Sequence, residues 1–258
     1  MRRAIRDSVV IVTGASSGIG RATALALGAQ GAHVAVAARR ETLLTDLAAE
    51  IAARGGQAFA VPVDVTDRDQ VHGLIERTVQ RWGHIDVVVA NAGIWQRSPV
   101  EETDDRIWHT VMAVDYFGAL NTALEALPFL ENGGQLIFVN SLDGKKGVPL
   151  EAAYAAAKHA LSGFADVARQ ELAGRGIAVT SLYPGRVDTA LIERLQVPAI
   201  QRKMPPERVA KAILSAIRRP RSEIYLPAFT GRVHSWLGAL APNLSDRLTA
   251  LLNLQGRM

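Results

Sequence analysis

Residues 9–31 read VVIVTGASSGIGRATALALGAQG, which is an apolar run, a glycine-rich turn and a helical pattern in succession. The run predicts a buried strand, and Gly14, Gly18 and Gly20 predict the turn that leads into a helix. Such a turn lets backbone amides approach a pyrophosphate, and the helix N-terminus adds partial positive charge. A tight turn without a ligand is the competing interpretation, but the strand–turn–helix context favours a dinucleotide.

Short apolar runs and longer helical patterns alternate along the rest of the chain. The runs predict strands at 8–13, 32–38, 58–63, 85–90, 135–140, 177–183 and 223–227. The helical patterns lie at 18–30, 41–54, 67–82, 103–130, 151–174 and 205–218. Most runs are continuously apolar, as expected of strands buried on both faces. The pattern predicts an α/β fold, a single Rossmann-like doubly wound parallel sheet of about seven strands with helices on both faces.

Two kinds of signal mark the element boundaries. Thr66 or Asp67 can cap the helix that follows the third strand. The glycine pairs at 55–56 and 133–134 are expected to end helices before the next strand.

Composition limits the class of protein. The 258 residues are 48% apolar and contain no cysteine, which excludes disulfides, thiolate metal sites and cysteine nucleophiles. The six histidines never fall at H-x-x-x-H or H-E-x-x-H spacing, so no metal is expected. The net charge of +4 is scattered rather than gathered in a basic stripe, which argues against nucleic acid as a partner. The chain shows neither a signal peptide nor a run of about 18 apolar residues, so we expect a cytoplasmic protein without a transmembrane segment.

The end of the second predicted strand bears on the choice of nucleotide. Arg39 and Arg40 follow it, and Ala38 stands where an acidic residue would bind the ribose 2′-hydroxyl of NAD(H). A guanidinium can pair with a phosphate through two parallel hydrogen bonds. We therefore predict that NADP(H) is preferred, with Arg39 on the 2′-phosphate, and that NAD(H) is the alternative. In the competing interpretation both arginines are surface charges.

A second candidate site lies in the alanine-rich segment EAAYAAAKHALSGF at 151–164. Tyr154 and Lys158 are four residues apart, so a helix presents both on one face. Taken alone, this spacing is more typical of a surface tyrosine stacked on a lysine stem. A phenol titrates at about pH 10 and is a poor base at neutral pH unless a nearby cation favours its phenolate.

The order and spacing of six motifs resemble the short-chain dehydrogenase/reductase family across residues 7–190. The motifs are TGASSGIG at 13–20, DV at 64–65, NAG at 91–93, Ser141, YAAAK at 154–158 and PG at 184–185. The resemblance implies an oxidoreductase that interconverts a carbonyl compound and the corresponding alcohol by hydride transfer. Together with the arginines after the second strand and the apolar positions around the substrate, it leads us to expect an NADP(H)-dependent enzyme that acts on a hydrophobic ketone or aldehyde. It also implies a single NAD(P)-binding domain over 1–258, in which 190–258 forms a variable lid and C-terminal substrate and interface region.

The resemblance assigns cofactor-binding roles to four strand ends. The glycine loop would hold the pyrophosphate through Gly14, Ser16, Ser17, Gly18, Ile19 and Gly20. The end of the third strand would hold the adenine edge through Asp64 and Val65, and the end of the fourth would line the adenine ribose with Asn91, Ala92 and Gly93. The end of the sixth strand would hold the nicotinamide through Pro184, Gly185, Val187 and Thr189. Asn91 to Gly93 would also support the central strand.

The resemblance also assigns catalytic roles. Tyr154 would be the general acid in reduction and the general base in oxidation. Lys158 would bind the nicotinamide ribose and lower the pKa of the tyrosine, and Ser141 would hydrogen-bond the carbonyl oxygen of the substrate. Surface stacking is then no longer the preferred interpretation of the Tyr-Lys pair.

The chain departs from the family at two positions. Ala90 precedes Asn91 where the family usually has a second asparagine. Asp115, in VMAVDYFGAL at 111–120, stands where the family has an asparagine that links the lysine to a proton relay. An ionised aspartate donates no hydrogen bond, and its charge could pair with Lys158 and weaken its effect on the tyrosine. We expect Asp115 to keep the relay through water, with a role only in a helix kink as the alternative.

The positions expected around the substrate are mostly apolar, which suits a small hydrophobic or aromatic carbonyl compound or alcohol as substrate. The positions expected to flank it are Ile94, Trp95, Leu142, Asp143, Val148, Leu150, Arg186 and 190–204. Trp95 is more typical of a packing residue. Arg186 would suit an acidic substrate, which we keep as the lesser alternative.

The C-terminal tail carries apolar residues at helical spacing and predicts two short helices at about 231–240 and 243–254. These residues are Trp236, Leu237, Leu240, Leu244, Leu248, Leu251 and Leu252. The tail could pack within the chain, cover the pocket, lie in a subunit interface or make peripheral contact with a membrane surface. The family resemblance implies a homodimer or homotetramer built on helices 103–130 and 151–174.

Two other functions stay open at this point. A catalytically silent NADP(H)-binding sensor or interaction protein on the same fold could dispense with the tyrosine or the lysine, whereas this chain keeps both, together with Ser141. An epimerase or dehydratase that retains its cofactor would tend to have a longer chain with a larger substrate domain.

Overall fold

One parallel sheet of seven strands, in the order β3-β2-β1-β4-β5-β6-β7, lies at the centre of the molecule. The structure is a computed structural model that describes residues 3–198 and 201–257, so positions 199–200 of the expected lid and positions 1, 2 and 258 lie outside the described residues. The strands are β1 (Val9–Thr13), β2 (His33–Ala38), β3 (Gln57–Pro62), β4 (Ile85–Ala90), β5 (Leu130–Val139), β6 (Ala178–Pro184) and β7 (Glu223–Leu226). The predicted doubly wound sheet is confirmed.

Helices cover both faces of the sheet. They are α1 (Gly18–Gly28), α2 (Glu41–Ala53), α3 (Arg68–Trp82), α4 (Asp105–Met112), α5 (Gly118–Ala126), α6 (Ala152–Leu172), α7 (Pro206–Arg218), α8 (Ala228–Leu240) and α9 (Pro242–Leu251). One core contains side chains of α1, α2 and α7, and the other contains side chains of α3, α5 and α6. In the described part of the chain, no helix combines the length and the apolar character needed to cross a membrane.

Burial on both faces explains the continuously apolar strands. Every residue of β1 is at most 1% exposed. Val10 and Val12 lie in one core and Ile11 lies in the other. Because successive side chains of a strand point to opposite faces, each position needs an apolar residue here.

Helix α3 begins after one of the two residues predicted to cap it. Asp67 is the cap, because its carboxylate accepts hydrogen bonds from the backbone amides of Asp69 and Gln70, each at 3.1 Å. Before β3, Gly55 adopts a φ of +81° just after α2, as expected of a glycine that ends a helix.

The segment predicted as one helix over 103–130 differs from that expectation. Helix α4 passes through a π-helical turn at Ala113–Phe117 into α5, and β5 already begins at Leu130. The glycine pair at 133–134 therefore lies inside β5 and does not end a helix. Gly133 has a φ of +91° where the register of β5 against β4 shifts, and glycine accommodates such a bulge without strain.

The order of the strands creates a crevice at one edge of the sheet. Strand β1 pairs with β2 on one side and with β4 on the other. The connections after β1 and β4 therefore leave in opposite directions, and ligands of such sheets bind outside the carboxyl ends of the strands at this point.

The glycine loop after β1 packs tightly against the first turn of α1. A Cβ atom added to Gly20 would lie 2.4 Å from the carbonyl oxygen of Gly14. We expect Gly20→Ala to lower the free energy of unfolding by about 1–3 kcal/mol, because the loop backbone has to move. Urea unfolding monitored by circular dichroism measures the change.

The matched control is Gly73→Ala in the middle of α3. A Cβ atom there would meet nothing within 4 Å. This substitution should raise the free energy of unfolding by about 0.5–1 kcal/mol, because alanine is the better helix former. Equal stability of Gly20→Ala and the wild type would contradict the close packing of the loop.

Candidate active site

A cavity of about 670 Å³ lies at the carboxyl edge of the sheet. Every residue predicted to bind the cofactor or to act in catalysis lines this cavity, with the exception of Gly20. Gly20 instead packs beneath the loop, against Gly14 and Asn91. The structure therefore brings together residues that the sequence spreads over the first three quarters of the chain.

The glycine loop has the shape of a phosphate cradle. Gly14 and Gly18 adopt φ values of +66° and +54°, and a Cβ atom on Gly14 would lie 2.7 Å from the Cα atom of Ala92. Ser17, which precedes α1, makes no side-chain cap hydrogen bond, and the first turn of α1 contains no acidic residue. The amides of that turn thus lack a side-chain cap, as a phosphate site at a helix N-terminus requires. These residues fit the pyrophosphate of a dinucleotide.

Two arginines stand beside the glycine loop. Arg39 and Arg40 both line the cavity. The Nη2 atom of Arg40 donates to Ser16 Oγ and to Ser17 Oγ, each at 2.8 Å. Only Arg39 was predicted to bind the phosphate, although Arg40 follows the same strand end. A guanidinium next to two loop hydroxyls makes this corner of the cavity a candidate phosphate site.

Asn91 ties the end of β4 to the end of β1. Its Nδ2 atom donates to the carbonyl oxygens of Thr13 at 2.9 Å and Gly14 at 3.3 Å. The hydroxyl of Thr13 in turn accepts the backbone amide of Asn91 at 3.1 Å. Asn91 thereby supports the central strand and holds the glycine loop in place. At the end of β3, Asp64 accepts hydrogen bonds from the amide and hydroxyl of Thr66 at 3.0 and 2.8 Å and so shapes its own turn.

The segment after β6 reaches back to the glycine loop. The amide of Gly185 donates to a carbonyl of β7 at 2.7 Å, and Val187 forms a short parallel bridge with Met204. A Cβ atom on Gly18 would lie 2.9 Å from the methyl group of Thr189, so Thr189 packs beside the loop. The predicted nicotinamide cradle thus borders the predicted pyrophosphate cradle.

Lys158 forms a buried ion pair with Asp115. The Nζ atom of Lys158 lies 2.9 Å from Asp115 Oδ1 and 5.5 Å from the centroid of the Tyr154 ring. The second oxygen of Asp115, Oδ2, accepts the backbone amide of Ile94 at 2.9 Å. The π-helical turn between α4 and α5 carries Asp115 into this position. The departure from the family pattern therefore places a carboxylate directly on the lysine.

The charges around Tyr154 favour its neutral form. Burial raises the pKa of the Tyr154 phenol well above its ordinary value, and the carboxylates of Asp115 and Asp143 raise it further, whereas the hydroxyl of Ser141 lowers it. Burial also raises the pKa of Asp115, against the opposing charge of Lys158. The pKa of the tyrosine thus moves in the direction opposite to that expected from Lys158, first because the phenol is buried and then because Asp115 and Asp143 place negative charge near it.

Ser141 is hydrogen-bonded to Asp143. Its Oγ atom donates to Asp143 Oδ2 at 2.9 Å and accepts the backbone amide of Asp143 at 3.1 Å. Both residues are buried, at 6% and 7% exposure. Asp143 was predicted only to flank the pocket, and its bond to the serine was not predicted.

A buried charge cluster lies at the substrate end. Glu151, just before α6, is fully buried and accepts two hydrogen bonds from Arg186, at 2.8 and 3.2 Å. The Nε atom of Arg97 lies 3.9 Å from the same carboxylate. Burial raises the pKa of Glu151, as does the nearby Asp143, and Arg186 opposes the rise. Because Arg186 is engaged by this carboxylate, the structure does not favour its use for an acidic substrate.

The C-terminal tail forms part of the cavity wall. Thr230 and His234 of α8 line the cavity with Leu252 and Leu254, which follow α9. Arg97 donates to the carbonyl oxygen of Gln255 at 3.0 Å, which holds the tail against the loop after β4. Of these lining residues, only Leu252 belongs to the apolar set predicted for the tail, because helical spacing alone does not indicate which face of the tail meets the pocket.

Other parts of the tail and of the expected pocket face the surface. Leu150, which was expected to flank the pocket, does not line it and is 37% exposed. On α8 and α9, several apolar side chains are exposed, namely Trp236, Leu240, Leu244 and Leu251, whereas Leu237 and Leu248 are partly buried. The tail therefore covers the pocket with one face and leaves an apolar face outside. Within residues 3–198 and 201–257, no group of three His, Asp or Glu side chains could hold a metal ion.

The chain is similar to known oxidoreductases over most of its length. The family model described as short chain dehydrogenase matches residues 8–198. An uncharacterized oxidoreductase of Listeria monocytogenes is 34% identical over 84% of this chain and 92% of its own length. A 3-oxoacyl-[acyl-carrier-protein] reductase of Synechocystis is 37% identical over 81% of this chain and 89% of its own. The structure of an alcohol dehydrogenase of the archaeon Thermococcus sibiricus, complexed with 5-hydroxy-NADP, has a TM-score of 0.76 at 26% identity and covers 85% of this chain and 96% of its own.

We expect Asp115 to raise the pKa of Tyr154. In Asp115→Asn the amide keeps the acceptor for the Ile94 amide but carries no charge, so the charge of Lys158 is no longer offset by Asp115. The midpoint of Tyr154 ionisation should therefore move to lower pH. Tyrosinate absorbance followed against pH measures it, with Tyr154→Phe to identify the signal.

The control for this titration is Asp46→Asn, which removes an exposed carboxylate on α2. It should leave the midpoint unchanged. Superimposable titrations of Asp115→Asn and the wild type would contradict an electrostatic role for Asp115.

Proposed function

The chain belongs to the short-chain dehydrogenase/reductase family of NAD(P)-dependent oxidoreductases, which act on CH–OH and C=O groups, and we propose that it is an NADP(H)-dependent member that interconverts a hydrophobic ketone or aldehyde and the corresponding alcohol. One observation carries the proposal. Ser141, Tyr154 and Lys158 line the same cavity as the glycine loop. A sensor without turnover would not need this arrangement, and the relatives, named as reductases and dehydrogenases, do not favour it.

The chain's own residues would orient and protonate the substrate. The bound nicotinamide supplies or accepts hydride. Tyr154 protonates the carbonyl oxygen in reduction and takes up the proton of the alcohol in oxidation, and a positioned acid of this kind typically contributes about 10²–10⁴ to the rate. Ser141 lies beside the phenol and fixes the substrate oxygen, and Lys158, one helical turn further along α6, holds the nicotinamide ribose.

The preference for NADP(H) is supported by the corner next to the glycine loop. Arg39 and Arg40 line it, the guanidinium of Arg40 contacts Ser16 and Ser17, and Ala38 offers no carboxylate to a ribose hydroxyl. A 2′-phosphate would find two cations and two hydroxyl groups there. The NADP analogue in the Thermococcus sibiricus enzyme supports the same preference.

The shape and lining of the cavity support a hydrophobic substrate. Ile94, Trp95, Leu142 and Val148 line it together with Leu252 and Leu254 of the tail. Residues 190–258 then form the lid and the substrate region of a single domain over 1–258. A cytoplasmic location and a homodimer or homotetramer built on α4, α5 and α6 complete the proposal, and exposed apolar side chains such as Phe117 and Val167 suit such an interface.

The first test of the function is turnover with NADPH and a panel of apolar ketones and aldehydes, followed at 340 nm. Tyr154→Phe should lower kcat by a factor of about 10²–10⁴, because the positioned acid is lost. The dissociation constant of NADPH, measured by fluorescence, should stay within a few-fold of the wild type. Nucleotide binding without turnover of any panel member would favour the sensor instead.

The second test concerns the nucleotide. Arg39→Ala and Arg40→Ala should each reduce the preference for NADPH over NADH, by a factor of about 10 for each lost charge-assisted pair of hydrogen bonds. The ratio of kcat/KM for the two nucleotides measures the preference. Arg54→Ala, which removes an exposed arginine at the other end of α2, is the control. A preference that survives both substitutions would assign the 2′-phosphate to other residues.

A further inference from the structure

Helix α8 of the C-terminal tail exposes an apolar stripe. Four side chains at positions i, i+4, i+7 and i+11 lie on one side of the helix, and each is between 45% and 85% exposed, namely Phe229, Val233, Trp236 and Leu240. The buried residues of the same helix are the small Gly231 and Ser235. A helix on the surface of a soluble protein normally has its apolar side chains on the buried face, so α8 shows the reverse arrangement.

Helix α9 repeats this arrangement next to α8. Leu244 and Leu251 are 50% and 79% exposed, whereas the buried residues of α9 are Ser245 and Thr249. The two helices pack against each other, which brings both exposed sets to one region of the surface. We call these six apolar side chains of α8 and α9 the outer face of the tail. Exposed apolar patches of this kind mark interaction sites.

Exposed arginines accompany the outer face. Arg247 lies three residues after Leu244 and four before Leu251, so helix geometry places it between them. An arginine in such a position keeps its aliphatic stem on the apolar surface and extends its guanidinium outward. Arg232 occupies the corresponding place on α8, with its guanidinium 5.6 Å from the centroid of the Tyr225 ring.

The tail as a whole is positively charged. Its cations between residues 228 and 257 are Arg232, Arg247 and Arg257, all exposed, and the only acidic residue in that range is Asp246. Asp246 is already paired with Lys146, at 2.6 Å. The tail therefore combines an apolar face with a surplus of positive charge. Both properties complement a surface that is apolar within and anionic at its boundary.

We propose that the outer face of the tail docks on the surface of an anionic lipid bilayer. Its apolar side chains enter the boundary between headgroups and acyl chains, and its arginines attract the lipid phosphates. Trp236 fits this position, because the amphipathic ring of tryptophan favours such boundaries. Helices of 13 and 10 residues are shorter than the roughly 20 residues that span a bilayer, so α8 and α9 lie in the plane of the surface.

Charge makes a second copy of the chain a poorer occupant of the outer face. In a two-fold interface the same surface of each copy meets, so a positively charged face would meet an equally positive one. The single carboxylate between residues 228 and 257, that of Asp246, is held by Lys146 and is not available to balance these charges. Anionic lipid supplies the opposite charge that a second copy lacks.

The outer face adjoins the cavity. Leu252 lines the cavity and is 39% exposed, and its neighbour Leu251 belongs to the outer face. Leu191, in the segment after β6, also lines the cavity and is 45% exposed. A lipid surface at this place suits the hydrophobic substrate of the proposed function, and only this point rests on that function.

Co-sedimentation of the purified protein with lipid vesicles, without nucleotide or substrate, tests the docking. The protein should bind vesicles of phosphatidylcholine that contain about 30% phosphatidylglycerol, and it should bind pure phosphatidylcholine vesicles more weakly. Arg247→Ala should lower the association constant for the anionic vesicles by a factor of about 5, because one basic residue near the surface is lost. Protein that stays in the supernatant with the anionic vesicles would overturn the proposal.

Trp236→Ser and Leu240→Ser test the apolar part of the same surface. Each should lower the association constant for the anionic vesicles by a factor of about 10, because an apolar side chain no longer enters the lipid. Both side chains are exposed, so thermal unfolding should match the wild type. The matched control is Leu43→Ser, which removes an exposed apolar side chain from α2 and should leave vesicle binding unchanged. Wild-type vesicle binding in both tail variants would overturn the proposal.

The fluorescence of Trp236 reports contact with the acyl chains. Phosphatidylcholine brominated on its acyl chains, added to the anionic vesicles, should quench the wild type, and Trp236→Phe should lose this quenching although three other tryptophans remain. Equal quenching of the two proteins would contradict the docking.

Size-exclusion chromatography examines the second copy as occupant. A wild-type assembly that dissociates in Leu240→Ser, together with absence of vesicle binding, would assign the outer face to a second copy and overturn the proposal. Vesicle binding by a protein that reduces none of the carbonyl panel would contradict the proposed function and leave the docking surface standing.

Discussion

Burial of the sheet on both faces is the constraint on which the rest of the molecule depends. With apolar side chains above and below β1 and β4, the polar side chains of the site lie at the strand ends and in the loops beyond them. Parallel strands place all of their carboxyl ends at one edge, so the polar residues that follow β1, β4, β5 and β6 converge there. The site is thus a product of the topology, and Asn91 fixes its centre by tying β4 to β1.

Electrostatics set the character of the site. The chain buries Lys158 with Asp115, Arg186 with Glu151, and Ser141 with Asp143. Pairing is what makes such burial tolerable, since an isolated charge in this environment would be costly. Because of the same pairing, no unpaired cation of the site favours the phenolate of Tyr154. The positive charge of an oxidised nicotinamide would therefore contribute more to the ionisation of this tyrosine.

The sequence predicted those features whose geometry lies within one strand, one turn or one helix. Continuous apolar runs predicted the strands, and the glycine loop and the Tyr154–Lys158 spacing predicted two halves of the site because their geometry lies within one turn or one helix. Arg40 and the pair of Glu151 with Arg186 were not predicted, because their partners lie 24 and 35 residues away and only the folded chain brings them together. The bond from the backbone amide of Asp143 to Ser141 Oγ could have been found, since a serine hydroxyl commonly accepts the amide two residues further on in a turn.

The C-terminal end of the chain is attached by fewer bonds than the sheet, so the two parts should respond differently to heating. Beyond Leu254 the chain is held by a two-bond pairing between Gln196 and Arg257 and by the guanidinium of Arg97, whereas the sheet rests on two buried cores. Structure held by few bonds opens at a lower free-energy cost than the core. On warming, the wall of the cavity should therefore loosen before the sheet melts, so that loss of ligand retention and loss of secondary structure follow different temperatures.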